Sequence, residues 1–304
     1  MCIRDRCDLR CSRAGWGPPP DAADLRTEGP SRPRSYPGGK QALQRQGHRT
    51  VAAYRRLDLR GAQPGGGKAC DLSLIHIFLY FQFVFAAITP LLFIGSVLGR
   101  IKFLAWCILC PAWSTFVYGV DAFMLWGGGY FAQEGALDFS GGFVIHMSAG
   151  VSGFVAAWVL GPRLARDREH FVPNNLLIAG VGAGILWLGW NGFNGGDPYY
   201  AGIDMSAAVV NTNIATAVGV LAWMGMDGLF SRAKKPTFLG GINGMICGLV
   251  GITPCAGWVN GWGAILVGLI DTVIVWCAWN FLVKVKPFSK VDDALGVIYT
   301  HRCV

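Results

Sequence analysis

The stretch Asp138-Phe139-Ser140-Gly141-Gly142-Phe143-Val144-Ile145-His146-Met147-Ser148-Ala149-Gly150 opens an apolar run that continues to Leu160 and meets Gly161-Pro162-Arg163. No Lys, Arg, Asp or Glu falls between Phe139 and Pro162. A helix needs about 20 such residues to cross a bilayer. His146 stands eight residues past Asp138. At ~1.5 Å of rise per residue it is expected roughly 12 Å deep, near the middle of a ~30 Å hydrocarbon core. An ionisable side chain at that depth is costly and marks a functional site. The competing reading is a neutral histidine hydrogen-bonded between helices.

The rest of the chain has the same character. Of 304 residues, 53% are hydrophobic and 14% charged, and mean hydropathy is +0.41. That is the composition of a membrane protein. The formal charge of +8 is unevenly spread: residues 1–77 hold 14 basic and 7 acidic residues, whereas 78–301 hold 11 of each. The basic balance therefore belongs to the head and gives the body no affinity for nucleic acid. Residues 1–77 are rich in Arg, Gly and Pro and read as a disordered extension. Back-translated, Met1–Arg6, Leu72–Ile77 and Arg302–Val304 match one sequencing adapter in different frames and orientations. Residues 1–77 and 302–304 are accordingly expected to be adapter-derived, with 78–301 the natural segment.

Seven spans and the start of an eighth follow from hydropathy: 79–98, 103–126, 139–160, 175–193, 205–230, 237–254, 262–283, and a last one opening at Asp292-Asp293. All eleven basic residues of the body fall in alternate connections, at Arg100/Lys102, Arg163–Arg168, Arg232–Lys235 and Lys284–Lys290. Basic residues mark cytoplasmic loops, so Gly127–Leu137, Asn194–Asp204 and Pro254–Gly261 are expected outside. Cys107 and Cys110 form a CxxC within a span, where apolar packing is expected rather than metal or redox chemistry.

Asp293 precedes His301 by the eight residues that separate Asp138 from His146. The two spans run in opposite directions, so both imidazoles are expected at similar depth, as an inverted repeat would place them. A neutral imidazole offers one donor and one acceptor, which suits a small hydrogen-bonding solute. No Cys or carboxylate at that depth completes a metal site, and no nucleophile accompanies the pair, so neither cofactor nor enzymatic chemistry is expected. Phe81, Phe85, Trp126, Trp190 and Phe193 lie at or near the outer ends of their spans. They read either as an interfacial belt or as rings that attract a desolvated cation.

Phe81–Thr89, Trp126–Gly129, Asp138–Gly150, Gly189–Gly196, Gly251–Pro254 and Asp292–His301 together resemble, in order, landmarks of the ammonium transporter family (Amt/Mep/Rh). The resemblance covers nearly all of 78–301. It implies an all-α polytopic fold, here about seven complete transmembrane helices plus the start of an eighth, as part of an eleven-helix inverted-repeat transporter. By that resemblance the family's first two spans, most of its tenth and its eleventh are absent, and such a fragment is not expected to conduct by itself. It also implies ammonium/ammonia as substrate, a homotrimer in the lipid bilayer and a plasma-membrane location. Trp126 and Phe81 would line an external recruitment site, with Asp138 supporting its vestibule. Phe85 and Phe193 would form a phenyl gate, Trp190 would line the lumen, and His146 and His301 would be its twin histidines. An ammonium sensor of the same fold is the alternative. Asp197 stands where some bacterial members have serine, and Asp271 has no counterpart role; a hydrogen bond to a neighbouring helix is expected of it.

Overall fold

The computed structural model describes residues 67–165, 167, 174–293 and 295–302. Most of the 1–77 extension, the tail 303–304, Arg166 and Arg168 thus lie outside the described residues. The described residues are helical, without strand, in the order α1 (Gly67–Val97), α2 (Phe103–Trp113), α3 (Gly119–Leu125), α4 (Tyr130–Gln133), α5 (Ser148–Leu160), α6 (Leu176–Gly196), α7 (Ile203–Phe230), α8 (Phe238–Ile252), α9 (Gly261–Asn280) and α10 (Val297–Arg302). A π-helical turn at Ser114–Tyr118 joins α2 to α3, and another at Gly142–Met147 leads into α5. Among the described residues seven helical stretches are long and apolar enough to cross a membrane, in the places hydropathy assigns them. The protein is a multi-pass integral membrane protein. Large apolar side chains such as Leu177, Ile185 and Leu188 remain exposed along α6, as lipid-facing helices require.

Side chains at helix ends explain where several spans begin. Asn175, Thr237 and Asn260 each accept a backbone N–H from the first turn of α6, α8 and α9, at 3.1, 2.9 and 2.9 Å. Inside α1, Pro90 cannot donate to the carbonyl of Ala86. That carbonyl instead accepts the Ser114 hydroxyl at 3.1 Å, which ties α1 to the π-helical turn of the second span and leaves no unsatisfied carbonyl in a membrane interior. The helices α7, α8 and α9 pack backbone to backbone. A Cβ on Gly244 would lie 2.3 Å from the carbonyl of Gly219, and one on Gly268 would lie 2.5 Å from that of Ala215. Only glycine permits these approaches.

The eighth span starts later than hydropathy suggests. Asp292 and Asp293 lie in irregular chain, and α10 begins at Val297, directly after Gly296 with φ +70°. The third span likewise begins at Gly142, after Gly141 with φ +102°. Each histidine is therefore the fifth residue of its helical stretch rather than eight residues into one. The burial of His146 begins ahead of its helix: Phe139 and Ser140 are already buried, and their N–H groups donate to Pro254 and Thr253 carbonyls at 3.0 and 3.2 Å.

Candidate substrate pathway

Asp138 organises the third span. Its carboxylate accepts four backbone N–H groups, from Gly141 (2.9 Å), Gly142 (2.6 Å), Phe143 (2.8 Å) and Val144 (3.1 Å). These are donors that the first turn of a helix cannot satisfy internally, and a carboxylate suits the positive end of the helix dipole. Its carbonyl accepts the Trp126 indole N–H at 2.8 Å. Asp138 thus holds Trp126 on one side and the start of the His146 helix on the other.

From Trp126 a column of rings runs inward. Trp126 lies 6.2 Å from Phe85. Phe81 meets Phe85 edge to face at 4.5 Å, and Phe85 meets Phe193 edge to face at 4.5 Å. These are favourable geometries for aromatic pairs. Phe193 is 5.9 Å from His146. The His146 ring is near-parallel to Trp190, at 5.2 Å and 12°, and to His301, at 5.4 Å and 10°. Trp190 is oriented by its indole N–H, which donates to Thr253 Oγ1 at 3.1 Å. All eight residues singled out in the sequence, Phe81, Phe85, Trp126, Asp138, His146, Trp190, Phe193 and His301, fall on this column or hold it.

Phe85, Trp190, His146 and His301 are all buried, His146 completely. Both nitrogens of His146, and Nδ1 of His301, make no hydrogen bond among the described residues. Two buried imidazoles with unused nitrogens, their centroids 5.4 Å apart and their planes within 10° of each other, form a polar island in an apolar column. Among the described residues no group of three or more His, Cys, Asp or Glu could hold a metal ion.

Three residues at the Phe81 end of the column escaped sequence reasoning. The Tyr118 hydroxyl donates to Gln82 Oε1 at 3.0 Å, and Gln82 Nε2 donates to the Tyr199 hydroxyl at 3.0 Å. Tyr199 lies edge-on to Phe81 at 5.1 Å. No local pattern signals this relay, which joins residues up to 117 positions apart. The glycines before the histidines did leave a signal. Asp-x-x-Gly-x-x-x-x-His describes both Asp138–His146 and Asp293–His301, and both glycines adopt positive φ.

The profile of the Ammonium Transporter Family matches residues 61–303. This chain belongs to the ammonium transporter family. Among its relatives in that family, Ammonium transporter 3 member 1 of Oryza sativa subsp. japonica is 53% identical over 224 residues, covering 73% of this chain and 45% of the relative. Ammonium transporter 2 of Arabidopsis thaliana is 49% identical over 239 residues, covering 78% and 50%. The chain thus spans about half the length of the curated relatives it matches. Among solved structures, that of Saccharomyces cerevisiae Mep2 aligns with TM-score 0.65 at 33% identity, covering 73% of this chain and 50% of that one. A structure described as Sensor Amt Protein aligns with TM-score 0.67 at 26% identity, covering 74% and 57%.

Proposed function

We propose that this segment forms part of an ammonium transport pathway, in which ammonium is recruited near Trp126 and Phe81, gives its proton to water on the Trp126 side of the Phe85–Phe193 pair, and passes His146 and His301 as ammonia. The observation that carries this reading is the stacked histidine pair with unused nitrogens directly below the phenyl pair. An ion at the bilayer centre costs about 2.5–3.5 kcal/mol by insertion scales. Ammonia avoids most of that cost, and its donors and lone pair match the acceptor and donor of neutral imidazole. Potassium has no proton to shed, so the same column rejects it. The family relationship supports a homotrimer in the plasma membrane as the working assembly. The outer rings act by cation–π attraction, each contributing roughly 0.5–2 kcal/mol. The similarity to a Sensor Amt Protein favours one second reading, in which occupancy of the same column is reported to a partner.

The test is uptake of an ammonium analogue by the complete gene product in transporter-deficient cells. Saturable uptake that rejects potassium, and that falls when His146 or His301 is replaced, supports transport. Membrane-inserted protein with no uptake would sink this reading.

A further inference from the structure

We propose that Arg163 and Arg100 are positioning residues for the histidine pair: with Asp292 they form a latch between the end of the span carrying His146 and the start of the segment carrying His301. The inference rests on the functional reading of that pair and concerns the opposite end of the molecule from Trp126.

Arg163 follows α5 by three residues. Its Nε and Nη2 donate to Asp292 Oδ2 and Oδ1 at 3.0 and 2.8 Å, and its backbone N–H donates to Oδ2 at 2.8 Å. Forked arginine–carboxylate pairs of this kind are strong and directional. Both side chains are largely covered, at 16% and 13% exposure, so water and salt screen them less than an open surface pair. The paired guanidinium holds the Asp292 carboxyl below its ordinary range, so the pair is ionised at neutral pH. Arg100, just past α1, adds a second tie. Its Nη2 donates to the Asp292 carbonyl at 2.6 Å, and its guanidinium also donates to the carbonyls of Gly161 and Ser96. Gly161, at φ +76°, ends α5 as the chain turns away. The ends of two spans and the approach to a third thus meet on one carboxylate-bearing residue.

This junction matters for His301 because it stands just ahead of Val297, where α10 begins. Its approach bends through Gly296, where a Cβ would fall 1.9 Å from the Trp279 ring. The direction in which α10 sets out is fixed by what holds this irregular approach, and the latch lies nine residues before His301. At the other end of the column Asp138 and Trp126 do the corresponding work for His146: there an indole N–H donates to the carbonyl of Asp138, and here a guanidinium donates to the carbonyl of Asp292. Neither arginine is a member of the ring column, and both act through the position of α10.

The experiment compares the unaltered complete gene product with Arg163→Ala, Asp292→Asn and Arg163→Lys, in lipid vesicles. Two quantities are read: amide hydrogen exchange along the chain, and the ratio of ammonium-analogue to potassium permeation. Arg163→Ala and Asp292→Asn are expected to raise exchange across 297–301 at least tenfold, leave Ile203–Phe230 unchanged, and lower the permeation ratio several-fold. Arg163→Lys keeps the charge but not the fork, and is expected to fall between. Unchanged exchange at 297–301 overturns the latch whatever transport does, and so does a uniform rise along the chain. A local rise with an unchanged permeation ratio overturns the positioning role. A local rise in a protein that carries no ammonium analogue upholds the latch and removes the transport reading instead.

Discussion

Replacing Asp138 by alanine removes four hydrogen bonds at once. The four N–H groups of Gly141 to Val144 converge on its two oxygens at 2.6–3.1 Å, and Asp138 is 7% exposed, so water has little access to replace the lost acceptor. Hydrogen bonds to a charged group contribute about 1.5–3 kcal/mol each. Four such bonds do not sum, because releasing the carboxylate from burial returns part of the energy and helix caps as a class are worth about 0.5–2 kcal/mol. A net loss of roughly 3–5 kcal/mol is expected, at the scale seen when one partner of a buried charge network is removed. Asp138→Asn keeps one acceptor oxygen and should lose about half as much. Hydrogen exchange and thermal unfolding of the purified protein measure the loss. Exchange should rise first at residues 141–147, and ammonium-analogue uptake should fall with it because His146 sits in the same turn. Native exchange at 141–147 in Asp138→Ala would refute the reasoning.

His146→Ala and His301→Ala are expected to be non-additive in ammonium-analogue and potassium currents, with a coupling of roughly 0.5–3 kcal/mol, since the rings stack at 5.4 Å; strictly additive losses with potassium still excluded would make them separate structural residues. Trp126→Leu keeps apolar bulk but removes the ring's pull on a cation and the indole bond to Asp138, so apparent affinity should fall by about tenfold or less with selectivity kept, as read from concentration-dependent uptake. Gly251→Ala would place a Cβ 2.9 Å from Asp271 Cβ and Cγ; unfolding measurements should show a loss of about 1–3 kcal/mol from overpacking, relieved in Gly251→Ala/Asp271→Gly. Asp292 has a lowered carboxyl pKa in the fold, so its contribution is complete above the unfolded value of ~3.9 and is lost as pH falls through the lower folded value; the protection at 297–301, taken relative to the intrinsic exchange rate at each pH, should stay flat from neutral pH to about 4, then fall, and Asp292→Asn should remove that step.

What the chain's sequence determined by itself was the set of spans, the alternation of its basic residues, and the two acid–histidine pairs. These are local properties: an apolar run long enough to bridge hydrocarbon has few alternatives to a helix, because every backbone group must be satisfied within it. Phe81, Phe85, Trp126, Trp190 and Phe193 were legible as aromatic and placed near span ends, but their column was not. It depends on how α1, α3 and α6 rotate about their own axes, and small residues and long-range hydrogen bonds set those rotations. The same holds for Ser114 on the Ala86 carbonyl and Arg163 on Asp292, 28 and 129 residues apart. The start of α10 moved from Asp293 to Val297 because Gly296 turns through a left-handed conformation, and because Asp292 is engaged by two arginines from other spans. Asp271 was expected to hydrogen-bond a neighbouring helix; its side chain does lie against Gly251 of α8, but its Oδ2 is buried without a hydrogen bond among the described residues. Hydropathy reports how much of a side chain's surroundings is apolar, whereas partner and orientation emerge only when distant segments are packed together.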